Sequence, residues 1–324
     1  MLGLMTYYKS FVNVNKVDIL YKGVLNMKKS LVMMCGIAVA AMASAINLPD
    51  YTTLIAHRGE SIDAPENTMP AFKTAVERGF GFECDIYLSK DGRVFTFHDR
   101  NLTRTTGGAN TNSCANVTWD EVSKLDVGSW GKWKGSKFVG TRPALLEEVL
   151  ALARDGRYIY VEIKTGPEIV PYVKKVFEAQ KNATPKNTLF ISFGEESCKE
   201  IKKAMPEYKV YWLTSSKIPQ RDEKGEVIAN AKWLPITPEY VIEKLKYMNA
   251  DGVDINFKRD IITKDFVNKV KSAGYEFHVW TIDDLGAAAV AFRRGADTVT
   301  TNRALEMRSD FLNLVDMTKN CKIK

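Results

Sequence analysis

Histidine is scarce in this chain, with three residues among 324. They are His57 in Ile55-Ala56-His57-Arg58-Gly59-Glu60, His98 in Phe95-Thr96-Phe97-His98-Asp99 and His278 in Phe277-His278-Val279-Trp280-Thr281. Imidazole, with an unperturbed pKa of about 6.5, is the side chain suited to proton transfer near neutral pH, so such chemistry has few candidates here. Cysteine is nearly as sparse. Of its five residues Cys35 lies in an apolar run near the N-terminus, and Cys84, Cys114, Cys198 and Cys321 stand far apart and match no metal-ligand spacing, which argues against a zinc centre. Nothing selects a disulfide pairing among them, and Cys84, between two acids in a strand-like run, reads as a small buried filler. The apolar run over residues 31–42 is too short for a transmembrane helix. No internal repeat or low-complexity tract is present.

The remaining composition, 45% hydrophobic and 26% charged, suits a globular protein with a sizeable core. Residues 27–45 read as a signal peptide: Lys28-Lys29, the apolar run, then Ala43-Ser44-Ala45 as a small-x-small cleavage site. Residues 1–26 are an unusual preface to such a segment and are expected to be an over-extended start; the rival is an extension that keeps the segment as an anchor. The mature domain then runs over 46–324, exported to a periplasmic or extracellular location. Residues 1–45 hold five lysines and one aspartate, so the formal charge of +7 falls to +3 for the mature chain. That is too little to indicate nucleic acid as a partner.

From residue 51 onward, short β-branched runs alternate with amphipathic stretches. Strands are expected over 53–56, 82–88, 158–164, 188–193, 209–214, 252–257, 276–282 and 298–301. Helices are expected over 68–78, 145–154, 168–180, 196–205, 238–248, 263–273 and 284–294. This order predicts parallel βαβ units closing into a TIM (β/α)8 barrel, an α/β fold. Asp91-Gly92 is a hairpin signal that folds residues 94–98 back beside 82–88, with Asp85 and His98 level across the turn. Residues 101–144 read as a loop excursion over one end. Its stretch Trp130-Gly131-Lys132-Trp133-Lys134 either closes over a substrate or packs as ordinary loop.

Glu83 and Asp85, one residue apart in a strand, share a face. Glu162-Ile163-Lys164 ends another strand. Three oxygen donors, Glu83, Asp85 and Glu162, suit a hard divalent ion, Ca²⁺ or Mg²⁺; the alternative is a salt-bridged strand end in which Lys164 pairs an acid. In a barrel these strand ends converge. His57 and His98 then stand as a general acid and base around a phosphate whose oxygens Arg58 and Lys164 hold. His278 has no acid beside it and reads as a core histidine or one that supports the site from behind, with a catalytic role as the alternative. Trp280 is either an apolar wall for substrate or a structural residue.

At these positions the sequence resembles the glycerophosphodiester phosphodiesterase family, within the phospholipase-C-like barrel superfamily. The matching segments are Ala56-His57-Arg58-Gly59, Ala64-Pro65-Glu66-Asn67-Thr68, Glu83-Cys84-Asp85, His98-Asp99 through Thr105-Thr106, Glu162-Ile163-Lys164, Val279-Trp280-Thr281 and Thr301-Asn302-Arg303. They occur in family order along nearly the whole mature chain. The resemblance implies metal-dependent hydrolysis of glycerophosphodiesters to an alcohol and sn-glycerol 3-phosphate. It places acid–base roles on His57 and His98, the metal on Glu83, Asp85 and Glu162, and phosphate contacts on Arg58 and Lys164. Glu66 would position its loop or meet the glycerol end. Pro143-Ala144-Leu145-Leu146-Glu147-Glu148 lacks a hydroxyl that the family often has there, away from any catalytic role. Two other readings stay open: a phospholipase or sphingomyelinase D-like enzyme acting on intact lipids, and a non-catalytic envelope protein that binds phosphate esters. Head-group preference and oligomeric state are not legible.

Overall fold

The computed structural model describes residues 53–320 apart from 221 and 223–225. The expected start and signal segment, and Cys321, lie outside the described residues.

Eleven strands are described: β1 (Leu54–Ala56), β2 (Gly81–Leu88), β3 (Val94–Thr96), β4 (Ile159–Ile163), β5 (Thr188–Ser192), β6 (Val210–Thr214), β7 (Lys217–Pro219), β8 (Trp233–Pro235), β9 (Gly252–Asn256), β10 (Glu276–Trp280) and β11 (Thr298–Thr301). The parallel series runs β2-β4-β5-β6-β9-β10-β11-β1, and β1 pairs β2 to close the ring. This is the expected eight-stranded barrel. Its strands are rich in Val, Ile, Tyr and Phe because both faces are covered, one by the barrel interior and the other by the helices.

The helices follow their signals. In α1 (Met69–Glu77), Ala71, Phe72 and Ala75 turn inward. Next come α2 (Trp119–Val122), α3 (Leu146–Leu150), α4 (Val170–Glu178), α5 (Glu195–Ala204), α6 (Pro238–Met248), α7 (Lys264–Ser272), α8 (Leu285–Arg294) and α9 (Ala304–Asn320). The Thr263 side chain caps α7 by accepting from the Phe266 N–H at 3.2 Å, and Phe266, Val267 and Val270 form its buried stripe. Asp284 caps α8 in the same way, and Gly295, at φ 105°, ends it in the left-handed region. The helix expected over 145–154 is only five residues long.

The Asp-Gly turn does form a hairpin, with β3 antiparallel to β2. Its register differs from the expectation. The Phe97 N–H donates to the Asp85 carbonyl at 3.0 Å, so Phe97, not His98, stands opposite Asp85. The excursion that follows has its own small core, in which Leu102, Cys114, Val117, Val122 and Val127 gather around Tyr87, Phe95 and Phe97. Trp133 packs edge-on against Phe138, and Lys132 donates to the Ile62 carbonyl at 2.7 Å. The excursion is therefore packed loop. The β7–β8 hairpin was not foreseen: its three-residue strands contain Pro219 and Pro235, are largely exposed, and show no alternating pattern.

Cys84, Cys114 and Cys198 are buried free thiols, in keeping with the filler reading of Cys84.

The turn after β1 depends on backbone freedom at Gly59. Its φ is +76°, and a Cβ there would lie 2.6 Å from the Ala71 carbonyl carbon. Gly59→Ala is expected to cost about 2–4 kcal/mol of unfolding free energy, measured by denaturant titration. An unchanged midpoint would show that the turn relaxes freely.

Candidate active site

Strand alternation that builds the barrel interior from Ile55, Tyr160, Leu189, Ile191, Tyr211 and Leu213 delivers polar side chains at the C-terminal strand ends. Glu83 is in register with Tyr160, and Asp85 with Glu162, so the three acids share the inward face. One oxygen from each lies within 4.8 Å of the others. A cavity of about 120 Å³ opens beside them, lined by His57, Arg58, His98, Lys164 and Trp280 as well as Glu83 and Glu162. Residues scattered over more than 200 positions thus converge at the expected end of the barrel. Glu66 does not line this cavity, and His278 lies below it. The His278 ring stacks on Tyr211 with centroids 4.1 Å apart, and Nδ1 meets Thr298 Oγ1 at 2.7 Å. It is buried in the core, but an acid does stand beside it, since Glu276 Oε2 lies 3.5 Å from its Nε2.

The two cavity histidines have different companions. His57 Nδ1 is 2.8 Å from Asn302 Oδ1. Asn302 Nδ2 donates to Asp283 Oδ2 at 2.8 Å, and the Asn302 backbone N–H to Asp283 Oδ1, also at 2.8 Å. Because the amide nitrogen is committed to Asp283, Asn302 Oδ1 must accept, and the His57 proton sits on Nδ1. Nε2 is left with a lone pair toward the cavity. Burial, reinforced by the charge of Arg58, lowers the His57 pKa to about 4, so the ring is neutral, with Nε2 unprotonated, at neutral pH. His98 instead places Nδ1 2.7 Å from the carboxylate of Asp99. That carboxylate is bound twice by Arg104, which brings its pKa down to about 2.

Arg104 also holds Glu66, at 2.6 and 2.9 Å, and Glu66 in turn accepts from Arg58 Nη1 at 2.9 Å. Both Glu66 oxygens are therefore taken by guanidinium groups. Glu66 thereby orients Arg58. Trp130 lies against Arg104, 4.9 Å from its guanidinium carbon, so this part of the excursion backs the ion-pair web. Arg58 occupies the left-handed region at φ 57°. Its backbone N–H donates to Glu83 Oε2 at 2.9 Å, while its buried Nε has no hydrogen-bond partner.

The model of the glycerophosphoryl diester phosphodiesterase family matches residues 57–306. The chain belongs to this family. It is 39% identical over 255 residues to a glycerophosphodiester phosphodiesterase of Caldanaerobacter subterraneus, covering 78% of this chain and 94% of that one. A glycerophosphodiester phosphodiesterase of Bacillus subtilis is 26% identical over 259 residues, covering 76% of this chain and 81% of that one. Among solved structures, an Oleispira antarctica phosphodiesterase in complex with the product sn-glycerol-3-phosphate superimposes with a TM-score of 0.66 at 25% identity. The match spans 81% of this chain and 96% of that chain.

In this family member the acid corner fits a divalent cation. Burial, then the charges of Asp85 and Glu162, push the Glu83 carboxyl well above the ordinary carboxylate range. Burial and Asp85 bring Glu162 up to about 8. Burial also works against Asp85, but Lys164 and Arg58 hold it below its usual value. The salt-bridge alternative is present in part, since Lys164 Nζ lies 2.8 Å from Glu162 and 3.3 Å from Asp85. It does not satisfy the corner. Glu83 Oε1 stays buried without a hydrogen-bond partner and Asp85 Oδ1 has only the Lys164 ion pair, and three oxygen donors this close suit a hard ion.

Sequence reasoning missed Asn67, Arg104, Asn302 and Asp283. Asn67, at φ 55°, spans the Asp85 side chain and backbone, donating to Oδ2 at 2.7 Å and accepting from the N–H at 3.0 Å. All but Asp283 lie inside the matching segments, but their partners are remote in sequence. Asn302→Leu removes the acceptor that orients His57 and is expected to lower kcat roughly 100-fold with KM little changed. Steady-state kinetics check this; a KM effect at constant kcat would assign Asn302 to substrate binding instead.

Proposed function

We propose that this chain is a metal-dependent glycerophosphodiester phosphodiesterase, releasing an alcohol and sn-glycerol 3-phosphate. The observation that carries the reading is the convergence of two imidazoles, two cations and three buried carboxyls on one small cavity of a family-typical barrel. The scissile phosphate would lie against Arg58, whose buried Nε has no hydrogen-bond partner and only a 3.6 Å ion pair with Asp85, and the Lys164 ammonium. Charge-assisted contacts of this kind orient phosphate oxygens and offset charge that grows on them. A divalent ion held by Glu83, Asp85 and Glu162 would supply further positive charge at those oxygens.

His57, neutral with Nε2 free, is suited to take the proton of the attacking hydroxyl. His98, whose ring the Asp99 carboxylate holds in place through Nδ1, is suited to return a proton to the leaving alkoxide. The attacking hydroxyl is water or the neighbouring hydroxyl of the glycerol. Trp280, whose Nε1 donates to the Asp254 carbonyl at 3.0 Å and whose ring meets Phe193 edge-on, forms one wall. Residues 27–45 support an exported location, which N-terminal sequencing of the native protein tests by a start at Ile46. No helix among the described residues is long and apolar enough to cross a membrane.

His57→Ala and His98→Ala are each expected to lower kcat roughly 10²–10⁴-fold in assays of glycerol 3-phosphate release. EDTA should abolish release, and separate addition of Ca²⁺ and Mg²⁺ should identify the ion that restores it and raises the melting temperature. Full activity in EDTA would remove the three-carboxylate site. Turnover of vesicle-bound lipid alone would favour the intact-lipid reading.

The depressed pKa of His57 also sets the acid side of the pH profile. Its basic form prevails above about 4, so kcat/KM should hold well below the ordinary imidazole value before falling. A midpoint at or above about 6.5 would separate His57 from the base role.

A further inference from the structure

The cavity has a second half that neither the metal corner nor the histidines use. In the ring of eight parallel strands, β9 stands four strands from β2 in either direction, so it faces the Glu83–Asp85 strand across the barrel. Asp254 on β9 is in register with Leu213 and His278, both inward-facing residues, and therefore also points inward. It lines the cavity with Ile191, Leu213 and Thr300. Asp254 is 1% exposed. Its Oδ1 is buried without a hydrogen-bond partner, and among the described residues no cation pairs with its carboxyl.

A buried carboxyl in apolar surroundings is costly unless something bonds it. Here it faces the cavity beside the metal corner. We propose that Asp254 binds a hydroxyl of the substrate's glycerol moiety, on the wall opposite the phosphate and metal groups; this rests on the hydrolase reading above. With the phosphate held by Arg58 and Lys164, a three-carbon polyol extends across the cavity floor over Ile191 and Leu213. A hydroxyl suits the partner position because it donates and accepts, so it satisfies a carboxyl of either charge. A quaternary ammonium has no N–H to donate. Trp280 is held against this wall by its bond to the Asp254 carbonyl, which keeps the floor compact.

The test compares metal-loaded wild type with Asp254→Asn and Asp254→Leu. The probes are sn-glycerol 3-phosphate, propyl phosphate and inorganic phosphate, titrated calorimetrically, with glycerophosphocholine turnover measured in parallel. Wild type is expected to bind glycerol 3-phosphate more tightly than propyl phosphate. Asp254→Leu should weaken glycerol 3-phosphate roughly 10–100-fold and leave the other two ligands little changed, with Asn intermediate. Both variants should melt at or above the wild-type temperature, because the substitution removes an unpartnered buried carboxyl. If Leu fails to fold, the Asn variant carries the comparison. A preference for glycerol 3-phosphate that survives both substitutions, or equal loss for all three ligands, overturns the assignment while glycerophosphocholine turnover by wild type keeps the hydrolase reading. Absence of that turnover removes both.

Discussion

Three carboxyl groups share one buried corner of this barrel, and the organisation of the site follows from having to keep them there. Glu83 and Asp85 are forced onto the same face by strand alternation, and Glu162 is brought level with Asp85 by the β2–β4 register. Removing one such charge from water is costly, and placing three together multiplies the cost unless positive charge is supplied. The chain supplies part of it through Lys164 and Arg58. Asn67 adds two neutral hydrogen bonds to Asp85. The oxygens left over are what make the corner a cation site, so the same electrostatic debt that burdens the fold creates its chemistry.

Around that corner, hydrogen-bond direction separates two otherwise similar imidazoles. A neutral amide stands behind His57 and a carboxylate behind His98, and each companion is itself held by a further charged group, Asp283 or Arg104. Arg104 joins the two sides of the phosphate position, since it grips both Asp99 behind His98 and Glu66 behind Arg58. Such outer contacts restrict rotamers and tautomers before substrate arrives, which is how a small cavity can be ready for reaction without rearrangement.

Much of the fold was legible because its signals are local. β-Branched runs, helix caps such as Thr263 and Asp284, and the Asp-Gly turn all act within a few residues. The Glu-x-Asp spacing placed two acids on one face for the same reason. The reading slipped where a single-residue register mattered: Phe97 rather than His98 pairs with Asp85, because turn geometry sets the offset and residue counting does not. The β7–β8 hairpin was invisible, since exposed three-residue strands with prolines carry no burial pattern. The bonds from Glu66 to two arginines were not legible either, since one of them lies thirty-eight positions away.

By itself, the sequence determined which chemistry was available: two histidines beside strand ends, three acids suited to a hard cation, and a βα order that closes only as a barrel with its strand ends together. It could do so because side-chain alternation and periodicity are properties of neighbouring residues. Tertiary structure alone decided which nitrogen of His57 is free, since that depends on Asn302, 245 positions away. It also decided that Asp254 faces the acids across the cavity, because strands distant in sequence become opposite only when the barrel closes. Proton positions and unpartnered buried oxygens belong to the assembled interior, where every polar group must find a partner or wait for a ligand.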